Sequence, residues 1–396
     1  MSRQLISHSP DLQKLEDDGY ELEIVAGHLV IHNVPYVNAE KKIKRGTLGS
    51  VLDNLNGDTT GPPKTHVALF SGDLPCDKNG NRLRHLDHSL NNQQLKPGLV
   101  MERSFSCKPK PSGSYTDYHH KMTTYIAMIA VHAEQIDPAV SARTFQVVEN
   151  ENDDMPFNYI DNASSRAGIS EYSRKLQLPK VAIIGLGGTG SYVLDLVAKT
   201  PVCEIHLFDG DWYVQHNAFR SPGAASIEEL CARLRKVDYF HARYAPMHRG
   251  IVPHPVYVDE SNVDELQDFD FVFLCMDTRP GKEVVIRKLE EFGIPFIDTG
   301  LGILNSDDGL RGIVRVTTST PEQRSHVWDK KRIPMVSAEA DNEYASNIQV
   351  ADLNALNAAQ AVIKWKKLFG FYADLEKEHF SAYTIDGNAT DNDDQE

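Results

Sequence analysis

The feature that most constrains this chain is the run Gly185-Leu186-Gly187-Gly188-Thr189-Gly190, which follows a short apolar stretch at 181–185 and opens a helical pattern at 191–199. A strand that turns through glycines into a helix leaves backbone N–H groups and the positive helix end open to phosphate, because no β-carbon blocks the approach. Asp209 lies 19 residues beyond Gly190, at the end of the next expected strand, where a carboxylate accepts hydrogen bonds from ribose hydroxyls. A bound nucleotide is therefore expected. On this evidence alone NAD and ATP serve equally well.

The texture around the motif sets the fold class. Strand-like runs at 181–185, 204–209, 269–276, 294–298 and 312–318 alternate with helical patterns at 191–199, 281–292 and 347–368. Such alternation predicts an α/β domain over 166–385: a Rossmann-like, doubly wound, mostly parallel sheet with helices on both faces. Residues 1–150 differ, mixing short apolar runs with turn-rich stretches and one longer helical pattern at 118–135, and predict a small α+β domain of unknown function, with partner recognition as its expected role. The polar segment 149–165 reads as the connection, and the acidic residues 386–396 as a disordered tail. No internal repeat is present.

Composition excludes several function classes. A formal net charge of -15 repels a phosphate backbone, so nucleic acid is not an expected partner. There is no basic flank with an apolar run at the N-terminus and no stretch of eighteen apolar residues, so no membrane span and a cytoplasmic location are expected. The five cysteines, Cys76, Cys107, Cys203, Cys231 and Cys275, are widely spaced with no C-x-x-C pair, which excludes a four-cysteine zinc site.

ATP is separated from NAD by the run that begins at Asp209. Asp209-Gly210-Asp211-Trp212-Tyr213-Val214-Gln215-His216-Asn217-Ala218-Phe219-Arg220 resembles the D-x-D-x5-N-x-x-R signature of the ThiF/MoeB/ubiquitin-activating superfamily. A dehydrogenase has no need of an asparagine and an arginine there. An adenylating enzyme does, since a carboxylate attacks the α-phosphate while pyrophosphate leaves and donors must neutralise the developing charge. The resemblance covers about 166–368 and implies ATP contacts from Gly185, Gly187, Gly188, Gly190, Asp209, Asp211, Asn217 and Arg220. Lys236, sixteen residues after Arg220, is similar to the family lysine on the phosphates, with Arg233 and Arg235 as substitutes. Asp277, in Cys275-Met276-Asp277-Thr278, resembles the aspartate of the family's C-T-D-N motif, which binds Mg²⁺; helix N-capping is its other reading. The segment Glu171-Tyr172-Ser173-Arg174 resembles the family's R-Y-x-R-Q segment, whose arginine reaches the ATP of the other subunit, so a homodimer with Arg174 acting in trans is implied, Arg166 being the rival. The implied activity is ATP-dependent adenylation of the C-terminal carboxylate of a ubiquitin-like protein in a bacterial-type conjugation pathway, with transfer to a conjugating partner. Adenylation of a sulfur carrier, a peptide or a small carboxylate is the neighbouring alternative. An NAD-binding oxidoreductase or a nucleotide-sensing adaptor is the alternative from another class.

One departure from the thioester-forming relatives stands out: no cysteine follows Cys275. The acyl-adenylate is then handed directly to a partner, or a hydroxyl replaces the thiol. Ser337 stands close to where the family's loop nucleophile falls, with His326 the only histidine of that loop; ordinary loop polarity is the plainer reading of Ser337. Cys203 and Cys275 sit in apolar strands and read as core residues. In the N-terminal domain the run 115–125, rich in tyrosine and histidine, reads as helix core or as part of an interface.

Overall fold

In the computed structural model the chain forms two compact units, Met1–Val148 with Ser165–Ala167, and Glu149–Ser164 with Gly168–Glu396. The structure describes residues 2–52, 55–56, 59–84, 86–150, 155–277, 281–335 and 348–395.

The N-terminal unit begins with the helices Ser2–His8 and Pro10–Asp17 and continues as strands β1 (Glu21–Val25), β2 (His28–Val37), β3 (Ile43–Val51), β4 (Leu55–Asn56), β5 (Thr59–Thr60), β6 (Val67–Ser71), β7 (Asp87–Lys96) and β8 (Leu99–Ser106). Six of these make one antiparallel sheet, ordered β1-β2-β3-β6-β8-β7, and β4 pairs with β5. The helix Tyr118–Glu134 is capped by Asp117, whose side chain accepts from the His120 N–H at 2.7 Å. It packs on β2 and buries Tyr118, Met122, Tyr125, Ile126 and Ile129 against Leu29, Ile31 and Phe70. The 115–125 run therefore supplies core: Tyr115, Tyr118 and Tyr125 are all buried. Lys121 is buried with them, its ammonium donating to Ser50 Oγ at 2.8 Å and to the Thr65 carbonyl at 2.9 Å.

The C-terminal unit is doubly wound. Strands β9 (Lys180–Ile184), β10 (Glu204–Phe208), β11 (Ile251–His254), β12 (Phe271–Leu274), β13 (Phe296–Ser306), β14 (Gly309–Ser319), β15 (Phe380–Thr384) and β16 (Ala389–Asp393) form one sheet ordered β11-β10-β9-β12-β13-β14-β15-β16. The first five pair in parallel and the last three antiparallel. Parallel strands buried on both faces need nearly continuous apolar sequence, which is why Val181-Ala182-Ile183-Ile184 and Phe271-Val272-Phe273-Leu274 read as strands. Alternate residues enter two cores. Val181, Ile183, Phe271 and Phe273 pack with Val193, Val237 and Trp365, while Ala182, Ile184, Val272 and Leu274 pack with Val285, Ile286 and Leu289.

Two regions differ from the sequence expectation. The strand expected at 294–298 runs on to Ser306 as one arm of a hairpin with β14 whose two strands each have eleven residues. Gly300 and Gly302 interrupt its apolar pattern, and that interruption hides the extension. The second correction concerns 386–396, expected as a disordered acidic tail: Ala389–Asp393 is a strand paired with β15. Its carboxylates are not merely solvated, because Asp394 is buried and accepts from Arg332 Nε at 2.9 Å, and Lys330 and Arg332 both pair with Asp393 and Asp394. A run's acidity is visible in its own residues, but its cationic partners lie in a distant segment. Among the described residues no helix is long and apolar enough to cross a membrane.

One buried histidine makes the C-terminal unit pH-sensitive. His248 donates from Nε2 to the Val202 carbonyl at 2.9 Å and accepts at Nδ1 from the Gly250 N–H at 3.2 Å, so its neutral form is the one that fits. Burial holds its pKa down to about 4. In the unfolded chain it titrates near its ordinary value of about 6.5. Stability is therefore present above pH ~6.5 and lost as pH falls towards ~4, by up to about 3 kcal/mol. Trp212, Trp328 and Trp365, the chain's 3 tryptophans, all lie in this unit, so urea unfolding followed by their fluorescence should show that slope in the native chain and a flatter one in His248→Gln.

Candidate active site

The strand order reverses between β9 and β12, and in a doubly wound sheet ligands bind at that crevice. Register brings the strand ends level: Ile184 faces Phe208 on one side and Leu274 on the other. Gly185, Asp209 and Cys275 consequently emerge side by side, with the Gly185 N–H donating to the Phe208 carbonyl at 2.8 Å and the Cys275 N–H to the Ile184 carbonyl at 2.8 Å.

The glycines of the turn have different reasons to be glycine. Gly185 has φ +91°, and a β-carbon there would lie 2.7 Å from the Cys275 carbonyl oxygen. At Gly190 a β-carbon would stand 1.9 Å from the Gly185 carbonyl oxygen, so the helix Gly188–Val197 could not start where it does. Gly187, by contrast, faces open space. Asp209 is buried and ties the turn to the next strand: its Oδ2 accepts from the Leu186 N–H at 2.7 Å and its Oδ1 from the Asp211 N–H at 2.8 Å.

Beyond the turn lies a cleft of about 570 Å³. Gly185, Gly187, Gly188, Asp209, Asp211, Arg220, Lys236 and Asp277, expected from the sequence, all line it. The buried Lys236 ammonium lies 2.8 Å from Asp211 Oδ2 and 3.4 Å from Asp209 Oδ2. The Tyr257 hydroxyl donates to Asp211 Oδ1, and the tyrosine ring covers Gly210. Arg220 brings a buried Nε that has no hydrogen-bond partner among the described residues. Asp277, at the end of β12, is exposed on the cleft wall.

Three further expected residues, Gly190, Asn217 and Arg174, do not line this cleft, and a fourth, Ser337, is not among the described residues. Gly190 does not line the cleft; its contribution is the close approach to Gly185. Asn217 is buried, and its Oδ1 accepts from the Val214 N–H at 2.9 Å, so its side chain caps the short helix Gln215–Ala218 that carries the chain to Arg220. Arg174 is exposed at the end of the helix Ser170–Arg174 and does not line the cleft. Ser337 lies outside the described residues.

The cleft also holds residues the motif reading missed. Lys282 and Arg315 line it and share Asp298, which is not itself in the lining, with Lys282 Nζ 2.5 Å from Asp298 Oδ1 and Arg315 Nη2 2.8 Å from Asp298 Oδ2. Asp298 is completely buried, and only two cations make that tolerable. Arg315 also donates to the Thr317 hydroxyl at 2.6 Å and to the Arg332 carbonyl at 2.7 Å, which lays its guanidinium across Gly300. No local sequence signal could have found this group, because Lys282 lies on the helix Gly281–Phe292, Asp298 on β13 and Arg315 on β14. Cys275 lines the cleft, but burial pushes its thiol up to about 12, which leaves it protonated and unreactive at neutral pH.

Among the described residues no cluster of three or more His, Cys, Asp or Glu could hold a metal ion. An exposed carboxylate such as that of Asp277 nonetheless fits Mg²⁺, which commonly takes one or two protein carboxylates together with substrate phosphates and water.

Residues 162–332 match the ThiF family. Residues 10–162 match a domain of unknown function (DUF6791). Among solved structures the chain is similar to E. coli MccB with AMPCPP and selenomethionine MccA, at 18% identity, covering 59% of this chain and 72% of that one with a TM-score of 0.47. PaaA is similar at 16% identity, covering 57% and 75% with a TM-score of 0.44. E. coli MccB with ATP is similar at 16% identity, covering 60% and 72% with a TM-score of 0.44. No curated protein matches the sequence.

The contrast between two glycines gives a test of the turn. Gly190→Ala should lower stability by at least about 2 kcal/mol, since the added methyl meets backbone that cannot move aside. Gly187→Ala should unfold like the native chain while weakening nucleotide binding, measured by calorimetry, because its methyl projects into the cleft.

Proposed function

We propose, from the premise that residues 162–332 form a ThiF-family adenylyltransferase domain, that this chain binds ATP in the cleft and transfers AMP to the C-terminal carboxylate of a ubiquitin-like protein. A carboxylate oxygen attacks the α-phosphorus, the bond from that phosphorus to the oxygen bridging to the β-phosphate breaks, and pyrophosphate leaves with the electron pair. Negative charge grows on the leaving group as it departs. Fixed donors meet that charge without reorganising, which is the largest contribution such a site can make.

The observation that carries this reading is Arg220. Its Nε is buried beside the cleft, has no partner among the described residues, and stands with Lys236 on the wall opened by the glycine turn. An NAD site needs only its pyrophosphate neutralised, which the glycine turn and the helix N-terminus already do. Asp277 would hold Mg²⁺, which shields the phosphates; its carboxylate faces the same space. Asp211, partly exposed, and Asp209 offer carboxylate oxygens to the ribose.

A protein or peptide carboxylate is favoured over a small acid by the long hairpin. On one face of β13 and β14 the residues Gly300, Gly302 and Ile313 line the cleft, and Leu304 continues that face outward with 73% of its surface exposed. Gly302, which has open space where a β-carbon would stand, flanked by the exposed side chains of Ile313 and Leu304, suits an extended chain lying flat with its end at the phosphates. A sulfur carrier would use the same path. In this proposal Arg174 acts in trans within a homodimer, and Ser337 accepts the activated acyl group as an oxyester when a covalent intermediate forms, since Cys275 is held protonated.

The test is ATP–pyrophosphate exchange with small folded carrier proteins and peptides that differ in their last residues. Exchange should require Mg²⁺ and fall by about 10²–10³ in Arg220→Ala and Asp277→Ala, the usual loss for one group that stabilises transition-state charge. Tight binding of NAD by calorimetry, with no exchange from any carboxylate, would overturn the proposal in favour of an oxidoreductase.

A further inference from the structure

The helix Ala351–Leu368 packs against both the helix Gly188–Val197 and the β13–β14 hairpin. Its buried face is mostly small or apolar, with Ala358, Ala361, Val362 and Trp365. Two asparagines interrupt it, Asn354 at 1% exposure and Asn357 at 0%. A buried amide is expensive unless its hydrogen bonds are made, and leaving one donor unpaired costs about 1–3 kcal/mol. Asn357 offsets part of this cost by donating from Nδ2 to the Gly300 carbonyl at 3.0 Å.

The placement of Asn354 accounts for its retention. Its Oδ1 accepts from the Thr189 hydroxyl at 3.1 Å, which fixes the amide plane. Its Nδ2 then lies against the backbone of the phosphate turn, so close that a β-carbon on Gly188 would stand 2.0 Å from it. That NH₂ is buried and has no partner among the described residues. Gly188 and Thr189 line the cleft, and the helix whose first turn they form presents its positive end there. The turn is thus backed by a side-chain donor whose hydrogens no other described group uses.

We propose that Asn354 is a positioning residue of the phosphate site. It holds the glycine turn through Thr189 and adds an unpaired N–H dipole behind it, so that phosphate charge at the helix N-terminus is bound more tightly than the turn alone would allow. The inference rests on the adenylation reading only in requiring a nucleotide in the cleft. It concerns the phosphates and not the base or ribose, and this separates it from general support of the fold.

Calorimetry with AMPCPP and with adenosine, using the full chain, tests it. Asn354→Leu should raise the Kd for AMPCPP about tenfold and leave that for adenosine unchanged. The near-isosteric Asn354→Asp, which folds with the same volume but sets an acceptor and a negative charge behind the turn, should raise the AMPCPP Kd further. Trp365→Phe, a core change on the same helix away from the turn, should alter neither. AMPCPP binding by Asn354→Leu and Asn354→Asp at the native affinity would overturn the inference while leaving the adenylation reading intact, and so would an equal loss for adenosine. Failure of the native chain to bind AMPCPP at all would overturn both.

Discussion

A β-carbon at position 190 would lie 1.9 Å from the Gly185 carbonyl oxygen, and one at 185 would lie 2.7 Å from that of Cys275. These two approaches let β9, the helix Gly188–Val197 and β12 meet at one point, and nearly everything else in the C-terminal unit is arranged around that meeting. The sheet order reverses there, the helix presents its N-terminus there, and the strand ends deliver Asp209 and Asp277 to either side. Apolar packing on both faces of the sheet supplies the stability. The close backbone contacts decide where an opening is left in it.

Charge is distributed around that opening in two groups. On one wall, Lys236 offsets Asp209 and Asp211, so two carboxylates coexist a few ångströms apart. In the floor, Lys282 and Arg315 share the buried Asp298. Arg220 belongs to neither group, and its unpartnered Nε leaves the cleft lining a donor for an anion. The cleft is thus electrostatically nearly balanced when empty, with capacity left where phosphate charge would arrive.

Most of this unit was legible in the sequence because its signals are local. The glycine turn, the carboxylate at the end of the next strand and the continuous apolar strands each report their structure within a few residues. Asn217 and Arg220 come from one motif, and the structure gives Asn217 Oδ1 a capping role while Arg220 Nε has no partner among the described residues. What the sequence concealed was relational. Lys282, Asp298 and Arg315 come from three separate elements, and only the sheet brings them together. The last strand was hidden for the same reason, its acidic run acquiring structure from Lys330 and Arg332. In the N-terminal unit the tyrosine-rich helix could be read as core or as interface, and burial decides for core.

Arg332 faces two ways. Its guanidinium grips the acidic end of β16 and stacks 3.9 Å over the Phe380 ring, while its carbonyl receives the Arg315 N–H that keeps a guanidinium over Gly300. One residue therefore joins the outermost strand of the sheet to the floor of the cleft. The Arg332–Asp393 half of that grip is exposed and open to screening by salt, whereas the Asp394 half is sheltered. Ionic strength acting at the rim of the sheet would reach the cleft through a single peptide unit, like tension carried along a guy rope to a distant pole.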